Sequence, residues 1–315
     1  RLGVNSVSLN ASYSPNPLIT EKQRLHFLLD YHYWQWTFKA SWNKADFYDL
    51  FGPTKVSRAG YMFFGSYHDY IIYMKKPLEL DYKISAAMYG ELDALPAYQN
   101  VDVKVDRLYQ SQGELHYSLT RKSLGALEPE SGTEASLIVD ASYVNEEIFP
   151  RGMLTFDQGF LLPLRNTSLW LRSAIGIGSD NRESVFSNFY FGGFGNNYVD
   201  HRDFKQYRNP ESFPGLEINE ITANRFAKIM MEFNLTPVRF RRLEFLYLFA
   251  THAQLSLFSS ALFADPDHEE LSRNIYNAGM QIDFEIVFFS LLKTTLSFGY
   301  GIAFEESYKP VDQIM

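Results

Sequence analysis

The chain has 315 residues, a formal net charge of −8 and no cysteine, which excludes a disulfide framework, a thiolate metal site and a basic nucleic-acid surface. Aromatic residues make up 17% of the chain, yet the mean hydropathy is only −0.23, because polar residues alternate with the aromatic ones. No apolar run approaches the roughly 18 residues of a transmembrane helix. We predict no cofactor and no nucleic-acid partner.

The first half of the chain alternates apolar and polar residues with the period of β-strands. At Tyr33–Trp34 the apolar positions change parity, which turns every following side chain to the other face. We predict a tight hairpin or a bulge there. Connections rich in Gly, Pro and acids are predicted at LGALEPESG and VNEEIFPRG. Strands are predicted at Val4–Tyr13, Arg24–Tyr33, Trp34–Trp42, Tyr61–Met74, Leu78–Met88, Val101–Asp106, Leu115–Arg121, Ala135–Val144, Leu154–Leu162 and Leu169–Ile177.

The alternation stops in one long stretch, from Ser179 to Asn224. Ordinary connections are about 4–6 residues long, so this stretch is unusual. It is rich in Gly, Asn and aromatic residues, and disordered segments lack aromatic residues. We therefore predict a folded loop, residues 179–224, that packs against the rest of the protein.

After this loop the alternation resumes, and no helical periodicity competes with it. Four closing strands are predicted at residues 225–236, 244–263, 274–289 and 292–304, and a weaker or truncated strand follows Lys309.

Two architectures fit these strands, a soluble sandwich or large barrel and a transmembrane β-barrel. The polar faces favour the membrane barrel, because their paired charges suit a water-filled lumen better than a packed core. These pairs are Asp81 with Lys83, Lys228 with Glu232, and Asp283 with Glu285. We predict an all-β fold, a single outer-membrane domain over residues 1–315 in which about 14–16 antiparallel strands form a barrel in contact with lipid.

The segment FYFGGFGNN resembles the Gly-rich tip of a loop in the superfamily of outer-membrane insertases and two-partner secretion pores. In that superfamily the loop folds into the lumen, and an arginine pins its tip to acids of the inner wall. The resemblance implies that Gly192, Gly193 and Gly195 belong to such a lumen loop. The family tip reads Arg-Gly-Phe where this chain has Tyr-Val-Asp-His, so Arg202 or Arg208 is expected to replace that arginine.

A second resemblance covers nearly the whole chain. The segments ADFYDLFGPTK, LPAYQNV, YFGGFGNNYVDH and SFPGLEINEI resemble the C-terminal region of large bacterial envelope proteins that carry a Tol-type β-propeller in front. This resemblance implies the outer membrane of a Gram-negative bacterium. Since the chain starts at Arg1, we expect a longer precursor with an N-terminal periplasmic domain.

Four residues of the closing strands are candidate contacts for the infolded loop. Asp283 and Glu285 are candidate wall acids for Arg202 or Arg208, or they are ordinary solvated residues of the lumen. Gly299 and Gly301 leave the wall bare, either to receive the loop or to permit curvature of the strand.

Other chemistry has weaker support in the sequence. His68, Asp69 and His252 lack a nucleophile elbow or a convergent partner, so we predict no enzymatic activity. The run from Asp265 to Glu270 fits an exposed acidic turn better than a Ca²⁺ site.

Two functions remain open at this stage. The first is an insertase-like barrel in protein export, surface assembly or the anchoring of a periplasmic domain, with a lipoprotein, a periplasmic domain or a secreted client as partner. The second is a passive porin or a gated uptake channel.

Overall fold

The computed structural model describes residues 5–15, 24–43, 60–74, 78–92, 105–194, 205–240, 244–245, 248–288, 292–305 and 311–314. Within these residues no helix is long and apolar enough to span a membrane.

Antiparallel β-strands make up the fold, as the alternation predicted. The strands are β1 (Ser6–Tyr13), β2 (Leu25–Tyr33), β3 (Trp36–Trp42), β4 (Tyr61–Met74), β5 (Leu78–Gly90), β6 (Leu108–Arg121), β7 (Ser131–Val144), β8 (Glu147–Leu161), β9 (Ser168–Ile177), β10 (Phe189–Phe191), β11 (Ile221–Ala223), β12 (Arg225–Asn234), β13 (Val238–Arg239), β14 (Glu244–Phe245), β15 (Leu248–Ala264), β16 (Arg273–Phe288), β17 (Leu292–Glu305) and β18 (Val311–Ile314).

Sixteen of these strands form one sheet. In this sheet β1 to β9, β12 and β15 to β18 lie side by side in chain order. The short β13 and β14 both pair with β15, and β10 and β11 form a separate pair. Among the described strands, β1 pairs only with β2 and β18 pairs only with β17. The all-β antiparallel prediction is confirmed, and closure into a barrel is not observed among the strands that the structure describes.

Two predicted turns and one predicted strand have different outcomes in the structure. The parity change at Tyr33–Trp34 is a tight hairpin, as predicted, with Trp34 at a φ of 57°. The connection predicted at residues 144–152 is wrong in extent, because only Asn145 and Glu146 form the turn. Their φ values of 49° and 69° suit a two-residue hairpin. The strand predicted at 101–106 is wrong for Val105 and Asp106, and its first four residues lie outside the described residues.

The sheet has two chemically different faces. On β12, Lys228 and Glu232 are buried, whereas the alternate residues Ile229 and Met231 are 54% and 51% exposed. We call the buried side, which the long loop covers, the loop face, and the opposite side the outer face. The outer face carries a continuous set of exposed apolar side chains: Leu137, Val139, Leu154, Phe156, Leu171, Ile175, Ile229, Met231, Leu257, Met280 and Phe298.

The long loop crosses the loop face from one end of the sheet to the other. It joins the adjacent antiparallel strands β9 and β12, so it starts and finishes at the same end. The turn between β6 and β7, and the end of β12 at Asn234, lie at the opposite end, because consecutive antiparallel strands alternate in direction. Lys205 nevertheless donates hydrogen bonds to Glu128 of that turn and to Asn234, at 2.8 and 3.0 Å. The prediction of a folded loop over residues 179–224 is therefore confirmed for its described residues.

Apolar packing holds the loop where it enters and leaves the sheet. Phe191 and Ile221 of the β10–β11 pair and Phe213 are fully buried against the first residues of β12, the last of β15 and the first of β16. Burying a large apolar side chain contributes about 1.5–3 kcal/mol. This end of the loop is thus a small hydrophobic core.

Gly301 of β17 lets the loop backbone approach the sheet. A Cβ atom at Gly301 would lie 2.6 Å from the Cβ of Pro214 and 3.3 Å from the backbone nitrogen of Gly215. Of the two readings of these glycines, the structure supports reception of the loop at Gly301. Gly299 is buried on the same face of the same strand.

Replacing Gly301 with Val is expected to lower the free energy of unfolding by about 1–3 kcal/mol, because the new side chain overlaps Pro214. Urea-induced unfolding measures this. Gly113→Val is the matched control, since a Cβ at Gly113 meets no atom within 4 Å, and its effect is expected to stay within about 0.5 kcal/mol. Equal effects of the two substitutions would contradict the close approach of the loop.

Candidate functional site

Arg208 is a cation of the long loop that bonds to acids of the sheet and of the turn between β6 and β7. It ends a one-turn 3-10 helix, Gln206–Arg208. Its Nε donates to both carboxylate oxygens of Glu232 at 3.0 and 3.1 Å. Its Nη1 and Nη2 donate to the two oxygens of Glu128 at 3.2 and 2.7 Å. Bidentate contacts of this kind are the strongest and most directional ion pairs in proteins.

Glu232 of β12 is fully buried and accepts hydrogen bonds from three side chains. Besides Arg208, Nε of Arg172 donates to it at 2.7 Å and the Tyr207 hydroxyl donates at 3.1 Å. Arg172 of β9 also pairs with Asp157 of β8. The sheet and the loop therefore solvate this carboxylate in place of water.

We call the resulting set of charges the ion-pair network; its members are Glu128, Asp157, Arg172, Lys205, Arg208 and Glu232. Three acids and three bases balance one another. Burying a charge costs several kcal/mol unless its partners and hydrogen bonds are complete, so the balance is what permits this burial.

The charges of the network shift one another's proton affinities. Burial alone would raise the pKa of the Glu128 carboxyl, but Arg208 and Lys205 outweigh burial and lower this pKa to about 2. Burial alone would lower the pKa of Arg208, but Glu232 and Glu128 outweigh it and raise this pKa well above its usual value. The Arg208–Glu128 pair therefore stays ionised at neutral pH.

Two further contacts fix the course of the loop. Nζ of Lys228 donates to the carbonyl oxygens of Asn209, Pro210 and Ser212, at 3.2, 3.0 and 2.5 Å. The three carbonyl oxygens around the buried Nζ atom of Lys228 hold the turn that follows Arg208. The ring of Tyr207 stacks on Phe258 of β15, with the ring centroids 4.3 Å apart.

The acidic run after β15 anchors the last residues of the loop. Asp265 accepts the backbone N–H groups of Asn224 and Arg225, at 3.1 and 3.0 Å, and pairs with Arg182 at 2.8 Å. Asp267 pairs with Arg182 and Arg225, at 2.7 and 2.9 Å. Within the described part of the chain, no group of three or more His, Cys, Asp or Glu residues could hold a metal ion.

The glycines predicted for the loop lie where two backbones meet. A Cβ at Gly192 would lie 1.8 Å from the carbonyl oxygen of Glu217. Gly193 forms an isolated antiparallel bridge with Phe213. Gly195 and Arg202 lie outside the described residues.

Arg208 bonds to acids of the sheet and of the turn between β6 and β7, but these are not the two acids that were predicted for it. Its partners are Glu232 and Glu128, not Asp283 and Glu285. Tyr207 and Lys205 hold the 3-10 helix over β12, and β16 lies two strands away in the sheet.

The two acids of β16 instead have local partners. Asp283 accepts hydrogen bonds from Gln281 and Ser297, both at 2.6 Å. Glu285 accepts one from Thr251 at 2.8 Å.

Sequence reasoning missed most of the ion-pair network. Glu232 was identified only as a polar-face residue of its strand. Glu128 gave no signal, because it lies in a turn 80 residues from Arg208 in sequence.

The comparisons with known proteins give no family assignment. No protein-family model matches the chain, and no curated protein sequence matches it.

Glu232→Ala is expected to lower the free energy of unfolding by about 3–5 kcal/mol, because Arg208 and Arg172 would remain buried without their shared carboxylate. Urea-induced unfolding checks this. Glu285→Ala is the matched control and should cost less than about 1.5 kcal/mol, since one hydroxyl bond is lost. A larger loss of unfolding free energy in Glu285→Ala than in Glu232→Ala would instead support Glu285 as the residue that anchors the loop.

The depressed pKa of Glu128 predicts a loss of stability in acid. The unfolded-state pKa is near 4.5 and the folded-state pKa is about 2, so the contribution is fully present above pH 4.5 and falls as the pH drops toward 2. Its size is on the order of 3 kcal/mol. Unfolding curves at pH 2 to 6 should show this loss, and Glu128→Gln should remove it. The same acid sensitivity in Glu128→Gln would refute the assignment.

Proposed function

We propose that this chain forms an outer-membrane β-barrel of a Gram-negative bacterium with the long loop as a plug, and that it acts as an insertase-like component of protein export, surface assembly or partner anchoring in the cell envelope. The observation that carries the proposal is the contrast between an exposed apolar outer face and a loop face that buries a balanced ion-pair network.

The outer face supports contact with lipid. Soluble monomers rarely expose apolar patches larger than a few hundred Å². Here β7, β8, β9, β12, β15, β16 and β17 all expose aliphatic or aromatic side chains on that one side. Strands of 10 to 17 residues, as in β9 and β15, are also long enough for the roughly 9–11 residues that cross a bilayer.

The fixed loop favours a plugged barrel over an open one. The second candidate is a passive porin or gated uptake channel. A cavity of about 590 Å³ between the loop and β5–β8 supports this candidate. A steady open pore, however, requires a free path along the strands. The loop runs the length of the loop face and is bound at both ends, so an insertase-like role fits better.

The two sheet edges support a role in strand exchange. All eight residues of β1 are exposed. The four-residue β18 pairs only with Tyr300–Ala303 of β17. Among the described residues, Leu292–Gly299 of β17 therefore have no strand partner on that side. Unpaired strand edges template the addition of a further strand.

Ile229→Arg tests membrane insertion. Ile229 lies midway along β12 on the outer face, and arginine at a bilayer midplane costs about 2–4 kcal/mol. We expect loss of outer-membrane assembly, measured by membrane fractionation and by refolding into vesicles. Glu269→Arg, in the exposed turn after β15, is the control and should assemble normally. Unchanged assembly of Ile229→Arg would favour a soluble fold.

Single-channel recordings in planar bilayers separate the two candidate functions. The wild-type protein is expected to give little steady conductance, because the loop is anchored. Glu232→Ala should raise the open fraction, because Arg208 loses its principal partner. A large and steady wild-type pore without any partner protein would favour the porin.

A further inference from the structure

A cavity of about 590 Å³ lies between the long loop and the loop face of β5–β8. Its floor is a row of side chains at one level of the sheet. Ser85 of β5 pairs with Gln112 of β6, Gln112 with Asp140 of β7, and Asp140 with Arg151 of β8. A hydroxyl, an amide, a carboxylate and a guanidinium therefore follow one another at strand spacing, about 4.8 Å apart.

The loop supplies an aromatic roof. Phe186, Phe189 and Tyr190 line the cavity, and all three are buried. The Tyr190 hydroxyl donates to the carbonyl of Val185 at 2.9 Å. The guanidinium of Arg151 lies 5.2 Å from the Phe189 ring centre.

The charges on the floor are already compensated. Arg151 donates twice to Asp140, at 2.9 and 2.8 Å, and once to the carbonyl of Asn188 at 2.8 Å. The side chains of Gln112, of its neighbour Gln110 and of Glu211 line the same cavity and make no hydrogen bond within the described residues. Each glutamine amide both donates and accepts.

These features define the chemistry of a ligand. It must donate and accept hydrogen bonds along one edge, and it must present an apolar face to the rings. An anion is disfavoured, because Glu211 lines the cavity and because Arg151, the only guanidinium among its described lining residues, is paired with Asp140. A pocket of this size holds a small molecule fixed by a few polar groups.

We propose that this cavity binds a small neutral saccharide, a mono- or disaccharide, whose hydroxyl groups bond to Gln112 and Gln110 and whose C–H face packs on the aromatic roof. The site is separate from the ion-pair network, and it does not depend on the role in export or assembly.

Isothermal titration calorimetry on the purified chain tests the proposal. The detergent must carry no sugar headgroup, so an amine oxide is used, because a maltoside would compete. The probes are maltose, cellobiose and N,N′-diacetylchitobiose, with glucuronate as the anionic comparison. We expect one or more neutral disaccharides to bind with 1:1 stoichiometry and glucuronate to bind about tenfold more weakly or not at all.

Gln112→Leu keeps the side-chain volume and removes the amide, so it should weaken binding about fivefold or more. Gln158→Leu is the matched control on the outer face of β8 and should bind like wild type. Gln110→Leu is a second cavity variant in case Gln112→Leu unfolds. The proposal is overturned if no neutral probe binds, if glucuronate binds as tightly as the neutral probes, if both cavity variants bind like wild type, or if Gln158→Leu loses affinity equally.

Discussion

The Glu232 carboxylate has no access to water, and this constraint ties the long loop to the sheet. One of its partners, Arg172, comes from the neighbouring strand β9, while Arg208 and Tyr207 come from the loop. A carboxylate buried without all of these donors would cost several kcal/mol. The loop can therefore take no other path over β12 without leaving this charge unsolvated, and the strand register of β9 and β12 is fixed by the same requirement.

Apolar and ionic contacts hold the loop at both ends. Where it enters and leaves the sheet, Phe191, Phe213 and Ile221 form an apolar core with the neighbouring strand ends. At the far end Arg208 and Lys205 form ion pairs, and Tyr207 stacks on Phe258. Apolar burial is insensitive to pH and to modest salt, whereas ion pairs weaken when water or salt reaches them. The pairs that Asp265 and Asp267 form with Arg182 add ionic contacts where the loop enters and leaves the sheet. Each end of the loop therefore combines an apolar part that is insensitive to pH with an ionic part that is sensitive to salt.

Sequence alone predicted what depends on local periodicity, and it failed where the answer depends on three-dimensional proximity. Strands with one wet and one apolar face repeat every two residues, so the closing strands and the hairpin after Tyr33 were predictable. The same parity places Glu232, Asp283 and Glu285 on one face, but it does not say which acid lies beneath Arg208. The role of Glu128 could not be predicted from the sequence, because its turn meets the loop only in the folded sheet, after the chain has crossed the sheet several times. Gly301 was a usable signal, since a bare strand position indicates close approach of another backbone.

The ion pairs at the far end of the loop can be released at a limited cost in free energy. Two unit charges at 4 Å attract by about 4 kcal/mol at an effective dielectric constant near 20, but by only about 1 kcal/mol in water. While Glu232 stays dry, each pair in the network strengthens its neighbours by excluding water from them. Once water enters, all of the pairs weaken together and every released charge can be hydrated, so the cost of opening is limited. An apolar contact at the same place would expose its whole surface to water on release. The plug proposed above must stay shut and yet be displaced by a client, and the balanced charges of Glu128, Arg208 and Glu232 suit that proposed role better than a larger hydrophobic core.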